Sequence, residues 1–102
     1  MLRPAIGAQN GQNVMTFVGS KIEFACDSSF PPPWNKIGPK PGDFESLGFN
    51  GQKHPNFKDE RFIFVRENSV YKLGIDDLRI SDAGNYRCDG AEPVSYSLSV
   101  VR

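Results

Sequence analysis

The chain has 102 residues, 38% of them hydrophobic and 24% charged, and its twelve basic residues balance twelve acidic ones. This is the size and composition of one globular domain rather than a disordered segment. The formal charge of zero and the lack of a Lys/Arg run leave no footprint for nucleic acid or an anionic membrane surface, and no apolar stretch is long enough to span a bilayer.

Short alternating segments broken by turn residues run through the sequence, with no sustained helical period. Residues 1–12 read as a loosely ordered start, with Gly7, Asn10 and Gly11 and no apolar run behind Leu2-Arg3-Pro4 of the kind a signal peptide carries. The folded domain is expected over residues 13–102, as a fragment of a longer secreted or membrane-anchored protein. Residues 13–18 form a first edge strand ended by Gly19-Ser20. In Lys21-Ile22-Glu23-Phe24-Ala25-Cys26, the residues Ile22, Phe24 and Cys26 share one face, the pattern of a half-buried antiparallel strand.

Residues 28–33 read as a loop, because Pro31, Pro32 and Pro33 lack the donor that a central strand requires. Trp34 begins the next strand, which continues through Asn35, Lys36 and Ile37. Gly38-Pro39-Lys40-Pro41-Gly42 is a turn, residues 43–49 form a further short strand, and Asn50-Gly51 is a favoured hairpin dipeptide. Residues 52–59 read as loop. Arg61-Phe62-Ile63-Phe64-Val65 is a strand apolar on both sides. Tyr71, Leu73 and Ile75 point inward from the strand after it, and Leu78 closes the core. In the last segment Tyr96, Leu98 and Val100 alternate with Ser95, Ser97 and Ser99.

Cys26 and Cys88 are the only cysteines, 62 positions apart. They admit a disulfide, two buried thiols or a pair of metal ligands. Their placement in β-patterned segments favours the first; zinc would need further ligands, and His54 is the only histidine. The run Asp82-Ala83-Gly84-Asn85-Tyr86-Arg87-Cys88 is more specific. Together with Cys26, Trp34 and the Leu73, Ile75, Leu78 spacing, it resembles the immunoglobulin superfamily over nearly the whole chain from residue 13 to 101.

That resemblance implies an all-β, two-sheet antiparallel sandwich with one inter-sheet disulfide between Cys26 and Cys88 and a corner hydrogen bond from Tyr86. It implies Trp34 packed in the core, although the interval from Cys26 is shorter than the family's usual one. It also implies an Arg61–Asp82 salt bridge at the base of the sandwich. The long stretch between Trp34 and Gly84 leaves room for an extra strand, which points to a variable-like or intermediate set. A disulfide-bonded member of such a family belongs outside the cell or on its surface.

No catalytic constellation accompanies this pattern, so the sequence points to recognition and not to an enzyme. His54 stands before a proline with no nucleophile motif to partner it, and Asp59-Glu60 and Asp76-Asp77 read as solvated turn residues without the ligand spacing of a calcium loop. No metal or cofactor is implied. The expected binding surface is the outer face of the sheet carrying Trp34, Cys88 and the last strand. Alternation places Asn35, Ile37, Arg87, Ser95 and Ser97 there, extended by Phe44 and Phe49, while at least two of Phe44, Leu47, Phe49 and Phe57 are expected to cap the core. The partner would be another protein domain or a second copy of this one, in adhesion, as a receptor's ligand-binding domain or, in a different role, as a structural spacer. Ile63 and Val65 would face outward from the opposite sheet. The loop Asp89-Gly90-Ala91-Glu92-Pro93 is too short and stiff for antibody-like antigen binding.

Overall fold

Alternation along the strands sorts the chain into two layers. The computed structural model describes residues 11–102, and nine strands follow one another among them. They are β1 (Gly11–Phe17), β2 (Ile22–Asp27), β3 (Pro33–Ile37), β4 (Phe44–Phe49), β5 (Gln52–Lys53), β6 (Phe62–Glu67), β7 (Val70–Ile75), β8 (Gly84–Cys88) and β9 (Val94–Val101). A 3₁₀ turn, Ile80–Asp82, precedes β8. Six strands form one sheet in the order β1-β9-β8-β3-β4-β5, and three form the other in the order β2-β7-β6. The architecture is an immunoglobulin-like sandwich whose sheets are joined by the Cys26–Cys88 disulfide between β2 and β8. Among the described residues no helix is long and apolar enough to cross a membrane.

Several expected boundaries shift. The loose start at residues 1–12 falls mostly on residues 1–10, which lie outside the described residues, whereas Gly11 and Gln12 already belong to β1. That strand runs parallel to β9, from Gly11 opposite Ser95 to Phe17 opposite Val101; the other pairings are antiparallel. Pro33 is strand rather than loop: it occupies the first position of β3, where no ladder donor is needed, and its carbonyl accepts from the Asp89 amide at 3.1 Å. Gln52 and Lys53 form a short edge strand where a loop was expected, folded back on β4 by the Asn50-Gly51 turn, whose φ angles are 55° and 74°.

The core comes from inward-facing rows that match across strands. Ile22, Ile75 and Phe62 form one row of the smaller sheet, and Phe24, Leu73 and Phe64 the next. Trp34 lies opposite Cys88 in the larger sheet, and both are buried in the same cluster as Tyr86 and Leu98. Tyr96 stacks on Phe24 with ring centroids 4.4 Å apart, and its hydroxyl donates to the Ala25 carbonyl of β2. β9 is thereby tied to the opposite sheet by packing and by a hydrogen bond at once.

The base of the sandwich is closed by charge. Arg61 grips Asp82 through both terminal nitrogens, at 2.7 and 2.9 Å, and Asp59 at 2.8 Å; its other side-chain hydrogen bonds go to the Asp76 and Asp77 carbonyls, and its guanidinium lies over the Phe62 ring. The Arg61 and Asp82 side chains are only 14% and 6% exposed. Burial pushes the Asp82 carboxyl up, but hydrogen bonds from Arg61 and from the Arg79 amide outweigh it and hold the group below its ordinary value. The same opposition, with Arg61 prevailing, lowers Asp59. Hydrogen bonding to Asp82 outweighs burial to raise Arg61 further above its already high range. Directly above, the Tyr86 hydroxyl donates to the Asp82 carbonyl at 2.5 Å, and burial keeps that hydroxyl protonated.

Candidate functional site

The outer face of the six-stranded sheet gathers all seven binding residues expected from the sequence. Register sets six of them in two rows, and Phe49 lies beyond these, opposite Pro33. One runs Phe44, Ile37, Asn85, Ser97, Asn13 across β4, β3, β8, β9 and β1; the next runs Ser46, Asn35, Arg87, Ser95. The serines of β9 keep the middle of the face flat.

Phe44 and Phe49 both reach this face because the ladder is irregular. Five residues apart on a regular strand, they would point to opposite sides. A β-bulge between Trp34 and Asn35 leaves Leu47 without a partner on β3, so Gly48 pairs with Trp34 and Phe49 with Pro33. Leu47 and Gly48 are buried, while Phe44 and Phe49 stand 62% and 55% exposed. Gly48 is required there, since a Cβ would lie 2.5 Å from the Phe64 ring of the other sheet and 2.7 Å from the Gln52 carbonyl. Phe57 packs edge-on against Phe62, with centroids 4.9 Å apart. Leu47 and Phe57 therefore cap the core, and the other two phenylalanines face water.

The polar centre is already satisfied internally. Arg87 Nε pairs with Asp89 Oδ1 at 2.6 Å, and the Asn35 amide donates to Asp89 Oδ2 at 3.3 Å. Asn35 is buried beneath its neighbours, so it supports the face more than it presents a contact of its own. Arg87 is tethered through Nε to Asp89, and its side chain is half exposed. A fixed arginine loses less rotamer freedom on binding than a free one.

Sequence reasoning missed Met15 and Phe17, which lie on the same face at its β1 edge and are strongly exposed. The signal was available: β1 carries apolar residues on both sides, with Val14 packed against the core and Met15 and Phe17 turned away from it. On the smaller sheet, Ile63 and Val65 do face outward, beside a Lys72–Glu67 pair at 2.9 Å. At one end of the sandwich the Ser28 hydroxyl accepts from the Ala91 amide at 3.1 Å and donates to the Phe30 carbonyl at 2.6 Å, which locks the loop after β2 to the loop after β8. His54 accepts from the Asn56 amide through Nδ1 in its own turn.

No protein-family model matches this chain, and no curated protein is similar to it at a significant level. Fold and site geometry define the class: a disulfide-linked immunoglobulin-like sandwich that presents one broad, flat, aromatic-edged sheet face.

Proposed function

We propose that this chain is an extracellular protein–protein recognition module of an immunoglobulin-superfamily protein, active in adhesion or cell-surface recognition and not in catalysis. It docks the outer face of the six-stranded sheet against a partner domain, in the simplest case a second copy of itself. The observation that carries this reading is the exposure of Phe44 and Phe49 on one face, with Ile37 next to Phe44 in the same row. Burying a large apolar side chain contributes about 1.5–3 kcal/mol, and aromatic anchors beside a flat polar field are where binding energy concentrates. The Cys26–Cys88 disulfide supports an oxidising setting outside the cell.

A spacer role is favoured by one separate feature, the outward Ile63 and Val65 of the smaller sheet, which a neighbouring domain would cover. Sedimentation of the isolated domain from about 1 to 200 µM covers weak encounters of roughly 5–8 kcal/mol. A concentration-dependent dimer that Phe44→Asp or Ile37→Asp abolishes is the expected result. A monomer throughout removes self-association and leaves a heterologous partner or the spacer role.

A further inference from the structure

Among the described residues the two sheets end in the edge strands β1, β5, β2 and β6, and all but the first are guarded. β5 is two residues long and carries Lys53, β2 carries Glu23 and Asp27, and β6 carries Arg66 and Glu67. Short length and charge are how an edge avoids pairing with another chain. β1 has neither protection. Its seven residues hold no charge and no proline, and its neighbour β9 is uncharged along its whole length.

The hydrogen-bonding groups on the free side of β1 can be assigned residue by residue. In a strand the N–H and carbonyl of one residue leave on the same side, and successive residues alternate. The Val18 amide donates to the Val101 carbonyl at 2.8 Å, so Thr16, Val14 and Gln12 also turn their backbone groups toward β9. Asn13, Met15 and Phe17 turn theirs away from it. The following turn uses one of these groups, the Phe17 carbonyl, which accepts from the Ser20 amide at 3.0 Å. The side chains of the same residues lie on the recognition face, where Met15 and Phe17 are 73% and 61% exposed.

We infer that β1 pairs antiparallel with β1 of a second copy, about a two-fold axis at Met15. Each Met15 exchanges both backbone hydrogen bonds with its counterpart, and each Phe17 amide donates to the Asn13 carbonyl of the other copy. A two-fold axis sets every residue against itself or against one equally far beyond the axis, so a charge near it would meet its own sign. β1 carries none, and it also offers no charge by which to select a foreign strand. Val14 falls opposite Thr16 and Asn13 opposite Phe17, so each face meets its like and the larger sheet continues from one copy into the next. Both recognition faces then lie on the same side, with Ile37, Phe44 and Phe49 left free. One added strand buries little surface, so the pairing is weak, with a Kd of about 1 mM. It takes effect where domains are held together at millimolar effective concentration.

The test is amide chemical shift and hydrogen exchange of the ¹⁵N-labelled Phe44→Asp chain from about 0.05 to 2 mM, a range that brackets this Kd. The substitution removes docking through the face, so any association that remains belongs to the edge. Expected are concentration-dependent shifts centred on Asn13, Met15 and Phe17, with exchange at the Met15 and Phe17 amides slowed about two- to threefold at the top of the range. Met15 is exposed, so M15K and M15D in the same background keep the fold. Each sets like charges on residues about 5.5 Å apart across the axis and should weaken association by roughly tenfold or more. Mixed in equal amounts, the two variants should associate at least as well as the parent, because opposite charges then face each other. Amides that do not respond up to about 2 mM overturn the inference and leave the edge to a strand of another protein. It is also overturned if M15K or M15D alone associates like the parent, or if their mixture stays monomeric.

Discussion

Replacing Asp82 with alanine isolates the charge cluster at the base of the sandwich. Arg61 would lose two hydrogen bonds of 2.7 and 2.9 Å in a place where its own side chain is 14% exposed and its Nε already lacks a partner. Removing one member of a buried ion pair costs about 3–5 kcal/mol, because the other charge stays desolvated. Asp59 at 2.8 Å and two backbone carbonyls still hold the guanidinium, which places the loss near the lower end, about 3 kcal/mol. A domain of this size unfolds with roughly 5–15 kcal/mol and loses about 4–8 °C of Tm per kcal/mol, so Tm should fall by roughly 12–24 °C. Urea unfolding followed by Trp34 fluorescence gives the free energy, and calorimetry gives the Tm. A loss below about 1 kcal/mol, the range of an exposed pair, would refute the argument that this pair acts as a buried one. Acidity gives a second readout. The Asp82 carboxyl titrates below its ordinary 3.8 in the folded protein, so the folded state binds fewer protons than the unfolded chain as pH falls through that interval. Its contribution is complete above about pH 4–5 and is lost below it. Asp82→Asn should show a shallower acid limb than the wild type, with the remaining slope including Asp59, which is shifted in the same direction.

Two other perturbations test the frame that carries the face. The disulfide closes a loop between Cys26 and Cys88, and the chain-entropy relation for that length gives ~4 kcal/mol, so a Cys26→Ala/Cys88→Ala variant should lose that much in equilibrium unfolding, if it folds at 37 °C at all. Gly48→Ala would place a methyl 2.5 Å from the Phe64 ring and 2.7 Å from a backbone carbonyl. It should cost about 1–3 kcal/mol in the same assay and shift the amide signals of Phe49 and Gln52, because the bulged ladder has to move.

What was legible in the sequence follows from the core's period of two. β2 and β7 read off cleanly because Ile22, Phe24 and Cys26 meet Ile75, Leu73 and Tyr71 in matched inward rows. The Arg61–Asp82 pair and the Tyr86 corner came from the resemblance to the immunoglobulin superfamily and not from periodicity. The irregular features could not be read this way. Alternation counted from Phe44 sends Phe49 toward the core, and only the unpaired Leu47 reverses it. Asn35 looks like a surface residue by type and spacing, yet its neighbours on β4 and β8 cover it. Nothing in residues 11–17 signals that the strand pairs parallel to β9, since that depends on where a distant segment lies. The exposed phenylalanines are the clearest case: composition announces apolar residues, and only the register says which of them meet water.

The parallel pairing of β1 with β9 sets how this domain would answer to force. One strand begins at Gly11 and the other finishes at Val101, and their seven register positions run side by side in the same direction. Tension applied between the two ends of the described chain would draw these strands past each other lengthwise. The rungs would then share the load together instead of parting one at a time as they do when a hairpin is peeled open. The domain would thus resist being pulled along the axis through these two ends, with the β1–β9 seam carrying the load.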